Sequence, residues 1–138
     1  MNDATAAAFT ASVLSGSFPG DLGIEVTKVE RDRVEGRLAA DARHLRPGGG
    51  VHGGVWTAFG DTVAAFGTMA NLGPGENFTT VEIKTNVFAA AEAGAVLTAV
   101  GEPLHRGRRT QVWEVRMYNG DRLAANFVCT QMVLAASS

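Results

Sequence analysis

Cysteine is nearly absent. Cys129 is the only one, so no disulfide can form within the chain, and a reducing setting, the cytoplasm, is the default. An excess of either charge is lacking too. Twelve Lys and Arg stand against 14 Asp and Glu, a net charge of −2, and no basic field calls for a nucleic-acid partner. Met1 to Ser17 has no basic stretch leading into a long apolar core, so no secretory signal is read there. The longest apolar run, Gly53 to Leu72, holds Asp61, three threonines and four glycines, which excludes it as a membrane span. No Gly-X-Ser-X-Gly elbow exists, and the serines sit near the two termini. The three histidines, His44, His52 and His105, lack metal-ligand spacing, so no metal is expected.

What remains is an ordinary globular composition, 46% hydrophobic and 19% charged, over 138 residues, which suits one domain across 1–138. An Ala-rich N-terminal helix fits within residues 1–17 and ends at Ser17-Phe18-Pro19-Gly20. Leu22, Ile24 and Val26, then Val34, Gly36, Leu38 and Ala40, alternate with polar residues and predict two strands turning at Arg31-Asp32. A central helix follows over residues 53–72, closed by Gly73-Pro74-Gly75. Four more strands are predicted, Phe78–Phe88, Ala95–Leu104, Arg109–Tyr118 and Leu123–Val133, the last two joined by an Asn119-Gly120 hairpin turn. Helix, two strands, long helix, four strands is an α+β order with an antiparallel sheet.

The central helix carries the first functional signal. From Pro47 to Gly75 the only formally charged side chain is Asp61. A helix on the surface shows a charged face, so this one is expected to be enclosed nearly all round. Val55, Trp56, Phe59, Val63, Phe66 and Met69 form a bulky side suited to a wrapped sheet. Thr57, Asp61, Ala64, Ala65 and Thr68 form a small side suited to close approach of a second subunit. Asp61 is either a solvated or Arg-paired acid, or a carboxylate whose pKa is raised for work as base or nucleophile.

Two loops add to it. Gly48-Gly49-Gly50-Val51-His52-Gly53-Gly54 lets backbone approach a ligand and puts free N–H groups at a helix N-terminus, where developing negative charge is stabilised. A merely flexible loop is the alternative, and His52 is expected to fix the local backbone rather than to move protons. His105-Arg106-Gly107-Arg108-Arg109-Thr110 lies at a turn between strands. It is either a phosphate grip or a solvated basic turn. Cys129 is in phase with Leu123, Ala125 and Phe127 and is expected in the core.

Taken together these residues resemble a known family. His44-Leu45-Arg46-Pro47-Gly48-Gly49-Gly50-Val51-His52-Gly53-Gly54-Val55, with Asp61 nine residues after His52, resembles the signature of hotdog-fold thioesterases. The branch includes phenylacetyl-CoA, 4-hydroxybenzoyl-CoA and 1,4-dihydroxy-2-naphthoyl-CoA hydrolases. The resemblance covers roughly Leu22 to Val133. It implies a long helix wrapped by a curved antiparallel sheet, a homodimer or dimer of dimers, and active sites shared between subunits. The expected substrate is an aryl- or medium-chain acyl-CoA, hydrolysed to CoA and a carboxylic acid. CoA would enter as part of the substrate, without a separate cofactor.

By position, the resemblance makes Asp61 the general base or nucleophile and Gly53 the N–H that polarises the thioester carbonyl, with His52 and Gly54 beside it. Thr80 falls at the small residue that places water or the acyl group, and Asn86 and Phe88 fall where a strand ends beside the ligand. His105, Arg106, Gly107, Arg108, Arg109 and Thr110 fall on the CoA-contacting turn. One position departs. Arg46 stands six residues before His52, where the family has Asn or Gln. It is a permanently charged donor that can replace those contacts, pair with Asp61, or point to solvent. Two rival functions are an enoyl-CoA hydratase or dehydratase and a non-catalytic acyl-CoA-binding module.

Overall fold

The computed structural model describes residues 3–136. Helix α1 (Asp3–Leu14) is followed by a one-turn helix α2 (Phe18–Asp21), then strands β1 (Glu25–Val29) and β2 (Val34–Ala39). The central helix α3 (Gly53–Met69) leads into β3 (Asn77–Val87), β4 (Val96–Arg106), β5 (Thr110–Asn119) and β6 (Arg122–Leu134). The predicted α+β order holds. The strand ends shift by a few residues, α3 stops at Met69 rather than Leu72, and Phe18-Pro19-Gly20 opens a helical turn instead of ending one. Proline in the first turn of a helix costs nothing, because its missing N–H has no intrahelical partner there.

The six strands form one antiparallel sheet in the order β1-β2-β4-β5-β6-β3. β3 pairs with β6 alone, from Asn77↔Leu134 to Val87↔Ala125, and so forms an edge. The sheet curls around α3, which is the arrangement of a hotdog fold. Trp56, Phe59 and Val63 of α3 meet Leu38, Leu97, Trp113, Val115 and Phe127 of the sheet in the core. Two helix glycines let α3 sit deep. A Cβ on Gly60 would stand 2.5 Å from the Phe127 ring, and one on Gly67 would stand 2.6 Å from the Trp113 ring. At the end of α3, Asn71 Nδ2 donates to Gly67 O at 2.9 Å and to Arg31 O at 2.8 Å, tying the helix to the β1–β2 turn. α1 lies over β1, where the buried Thr10 hydroxyl donates to Val26 O at 2.8 Å.

The predicted small side of α3 is only partly open. Ala64 and Thr68 are fully buried beneath the sheet. Thr57, Asp61 and Ala65 are half-buried, and Met69, assigned by pattern to the bulky inner side, is 39% exposed. The open line therefore runs at four-residue spacing through Thr57, Asp61, Ala65 and Met69, a row that follows one ridge of the helix.

Candidate active site

The loop before α3 is built by local hydrogen bonds. Asp41 N–H donates to His44 Nδ1 at 2.9 Å, which leaves the ring proton on Nε2 for Leu22 O at 2.7 Å. His44 is thus a buried structural residue. Leu45 bridges to Val51, and Arg46 N–H donates to Gly50 O at 2.8 Å. The turn between them holds Gly48, Gly49 and Gly50 at φ of 88°, 96° and 84°, a run of left-handed residues that side chains with a Cβ rarely adopt. This tight hairpin delivers His52 to the N-cap of α3.

His52 fixes the loop as expected. Its Nδ1 accepts the Gly54 N–H at 2.8 Å, and its own N–H donates to His44 O at 2.8 Å. Gly53 occupies the first helical position, where an N–H has no intrahelical carbonyl to meet. A Cβ built on Gly53 finds no atom within 4 Å, so the space on its side-chain side is open. The positive end of the α3 dipole lies at this N–H.

Asp61 lies eight residues further on, about 12 Å along the axis at 1.5 Å per residue. One carboxylate oxygen, Oδ1, is buried and has no hydrogen-bond partner among the described residues. Burial raises the Asp61 pKa above its ordinary value of 3.8, and no neighbouring cation counters it. Within the chain Arg46 does not pair with Asp61: its Nη1 donates to Pro47 O at 3.3 Å, folded over its own loop. A cavity of about 250 Å³ opens beside Asp61 between α3 and Val13, Leu14, Phe18 and Pro19. Sequence reading missed those four, because only the folding of the N-terminal segment over β1 carries them to a helix more than forty residues away.

The other candidates divide between the two ends of α3, whose 17 residues span about 25 Å. At the N-terminal end, Arg46, Val51, Trp56 and Phe88 line a cavity of about 280 Å³. The indole Nε1 of Trp56 is buried nearby without a partner among the described residues. Asn86 is on the same strand end, with its amide held by Asn126 Oδ1 at 3.0 Å. At the C-terminal end lie Thr80 and the β4–β5 turn. The Thr80 hydroxyl donates to the buried Gln131 Oε1 at 2.7 Å. Arg106 Nη1 donates to Arg31 O at 3.1 Å, so it braces the β1–β2 turn. His105 is exposed, and Gly107 closes the turn by donating to Thr110 O at 2.8 Å. Arg108, Arg109 and Thr110 line a cavity of about 620 Å³ with Glu76 and Met132.

Cys129 is buried, and desolvation with the nearby Asp61 charge pushes its thiol up to about 12, so it stays protonated and inert. Among the described residues no cluster of three or more His, Cys, Asp or Glu is placed to hold a metal ion, and no helix is long and apolar enough to cross a membrane.

Comparison with known proteins agrees with this geometry. The Thioesterase superfamily pattern matches residues 48–125, from the glycine hairpin through α3 to the start of β6. A 1,4-dihydroxy-2-naphthoyl-CoA hydrolase of Listeria monocytogenes is 34% identical over 96 residues, covering 70% of this chain and 77% of the relative. The proofreading thioesterase EntH of Cronobacter turicensis is 32% identical over 104 residues, 75% of each chain. Among solved structures, a thioesterase from Haemophilus influenzae superposes with a TM-score of 0.89 at 26% identity, over 96% of this chain and 92% of that one. A hypothetical thioesterase protein from Streptococcus pneumoniae, solved with coenzyme A, superposes with a TM-score of 0.75 at 25% identity, over 83% of this chain and 88% of that one. The matched pattern spans more than half the chain and takes in both Gly53 and Asp61, and on these grounds the protein belongs to the thioesterase superfamily as a hotdog-fold thioester hydrolase.

Proposed function

We propose that the protein hydrolyses an aryl- or medium-chain acyl-CoA to free CoA and the carboxylic acid, with Asp61 as general base or nucleophile and the Gly53 N–H polarising the thioester carbonyl. One observation carries the reading. The only charge on α3 is a carboxylate whose Oδ1 is buried and unpartnered, an arrangement that costs stability and is kept where reactivity requires it. In the general-base route Asp61 takes a proton from water as the oxygen bonds to the carbonyl carbon. The C–S bond then breaks, and the proton passes to the departing thiolate. In the nucleophilic route the carboxylate attacks first, the thiolate leaves, and water opens the resulting anhydride.

Gly53 and Asp61 of one chain stand about 12 Å apart along α3, too far to act on one carbonyl, since reacting atoms must come within about 3.5 Å. Each site therefore takes Gly53 from one subunit and Asp61 from its partner. The edge strand β3 supplies a surface for that pairing. Val81, Ile83 and Val87 are about half exposed on it, and Thr85 bonds to Thr57 of the open line on α3 at 2.8 Å. In the resulting homodimer, or dimer of dimers, the antiparallel helices bring the Arg108–Thr110 turn of one subunit toward the loop end of the other, within reach of a CoA bound between them. The lone, buried Cys129 fits a cytoplasmic setting.

The test is thiol release from a panel of benzoyl-, hydroxybenzoyl-, phenylacetyl- and straight-chain CoA esters, with Asp61→Asn run beside each. Turnover that vanishes in the variant supports the assignment, and turnover that survives in it sinks the assignment. Binding of CoA esters without thiol release would favour the binding-module reading, and conversion of an enoyl-CoA without thiol release the hydratase one.

A further inference from the structure

Beside Asp61, the cavity of about 250 Å³ does not end at the carboxylate. Its walls include Phe66 and Met69 of α3, and the same two residues line a second cavity of about 630 Å³ toward the C-terminal end of the helix. That second space is closed by Phe9 of α1 and by Val29, Glu30 and Arg31 at the β1–β2 turn. The two adjoin at Phe66 and Met69 along one apolar wall between α3 and the N-terminal segment, beginning at the proposed reacting carboxylate. Four large apolar side chains lie open along it: Phe9 at 51%, Val13 at 48%, Phe18 at 67% and Met69 at 39% exposure. A row of such residues leading away from a reactive group marks a surface built to be covered by something apolar.

Resting on the thioesterase reading above, we infer that the two cavities are continuous, that this channel holds the acyl group of the substrate, and that the preferred substrate is an unbranched acyl-CoA of about ten carbons rather than an aryl-CoA. The length follows from the helix. Asp61 to Met69 is eight residues, about 12 Å. An extended chain advances about 1.3 Å per carbon, given a C–C bond of about 1.5 Å, so about nine bonds reach Met69. A benzoyl ring ends within the first cavity and leaves the second unfilled. Beyond Met69 the chain meets Glu30 and Arg31, whose Nε lies 3.4 Å from Asn71 Oδ1, and further methylenes gain nothing there. Val13 and Phe9 on one wall and Met69 and Ala70 on the other are the residues that set chain length. Val13 and Phe9 precede the part of the sequence that resembles the family, and Met69 and Ala70 lie within it.

The experiment uses S-alkyl-CoA thioethers, which cannot be hydrolysed, so that binding is read apart from turnover. Calorimetry with the full-length protein is expected to show affinity rising at least tenfold from S-butyl- to S-decyl-CoA and levelling off beyond dodecyl, since each fully buried methylene is worth about fourfold. Ala70→Trp and, separately, Val13→Trp are expected to lower the decanoyl-to-butanoyl ratio of kcat/KM at least tenfold. A ratio is unaffected by a partial loss of folded protein. Affinity that stays flat from butyl to decyl would overturn the inference, as would a continued rise to hexadecyl. So would a benzoyl-CoA kcat/KM above that of decanoyl-CoA. If Ala70→Trp changes the sedimentation coefficient and not the chain-length profile, the channel is covered by a second copy of the chain, and the inference fails. Absence of thiol release with a preserved chain-length rise would instead refute the thioesterase reading and leave the channel assigned.

Discussion

Replacing Asp61 by asparagine is expected to make the protein more stable while removing its activity. Oδ1 is buried and unpartnered, and an unsatisfied buried polar atom costs about 1–3 kcal/mol. The rest of the carboxylate is half-buried, so the lower end of that range applies. Asparagine keeps the shape and a polar atom at that place but discards the charge, and removing the desolvation of that charge gives a gain of about 1 kcal/mol, or about 4 °C in a domain of this size. The pH dependence separates this from a packing effect. Burial raises the Asp61 pKa above 3.8 in the folded state, so the folded protein holds its proton more tightly than the unfolded chain. Stability is then fully present below the unfolded value and is lost as pH rises through the folded one. The gain from Asp61→Asn should accordingly approach zero well below pH 3.8 and be full at pH 7. Differential scanning calorimetry of both proteins across that interval reads it directly, alongside thiol release at pH 7, where loss of a general base costs about 10²–10⁴ in rate. A variant that melts lower than wild type at pH 7, or whose difference is the same at both pH values, would show that the carboxylate is a structural anchor and refute the reasoning.

Other outcomes follow from the same geometry. Because the raised pKa of Asp61 must be passed before the group can accept a proton, kcat/KM should climb with pH along an acid limb centred above 3.8, and a limb at or below that value would contradict it. Gly53→Ala meets no atom within 4 Å in the chain, so its Tm should match or slightly exceed wild type while kcat/KM falls at least tenfold. Gly54→Ala instead brings a Cβ to 3.1 Å from the His52 Nδ1 and should lower both. Gly67→Ala would place a methyl 2.6 Å from the buried Trp113 ring, and this overpacking should cost about 1–3 kcal/mol in chemical denaturation, against less than 1 kcal/mol regained in helix propensity. Ile83→Lys puts a charge on the exposed edge strand β3 and, if the proposed pairing of subunits uses that strand, should lower the mass seen by analytical ultracentrifugation with loss of turnover in parallel.

Much of the fold was legible because its signals are periodic and local. The alternation of Trp113, Val115 and Met117 sets them on one face of β5, and all three are fully buried. The Gly48–Gly50 run and His52 marked the start of α3, since left-handed turns and N-caps depend on a few adjacent residues. Asp61 stood out as the only charge in a long uncharged stretch. Long-range placement was not legible. Helical phase put Met69 inside and Ala64 and Thr68 outside, and the structure reverses both, because burial depends on which strands pack against each side of α3 and not on helical phase alone. Nothing local tells Val81 and Ile83, exposed on edge strand β3, from their buried counterparts on β5, since burial depends on which strand lies alongside. Nor does sequence proximity hint that Val13 and Phe18 line the Asp61 cavity, or that Arg106 braces Arg31 across 75 positions. Composition and periodicity specify which elements form and which chemistry they carry. Which of those elements meet is fixed by how one helix packs into one curved sheet, a property of the whole chain that no window of neighbouring residues contains.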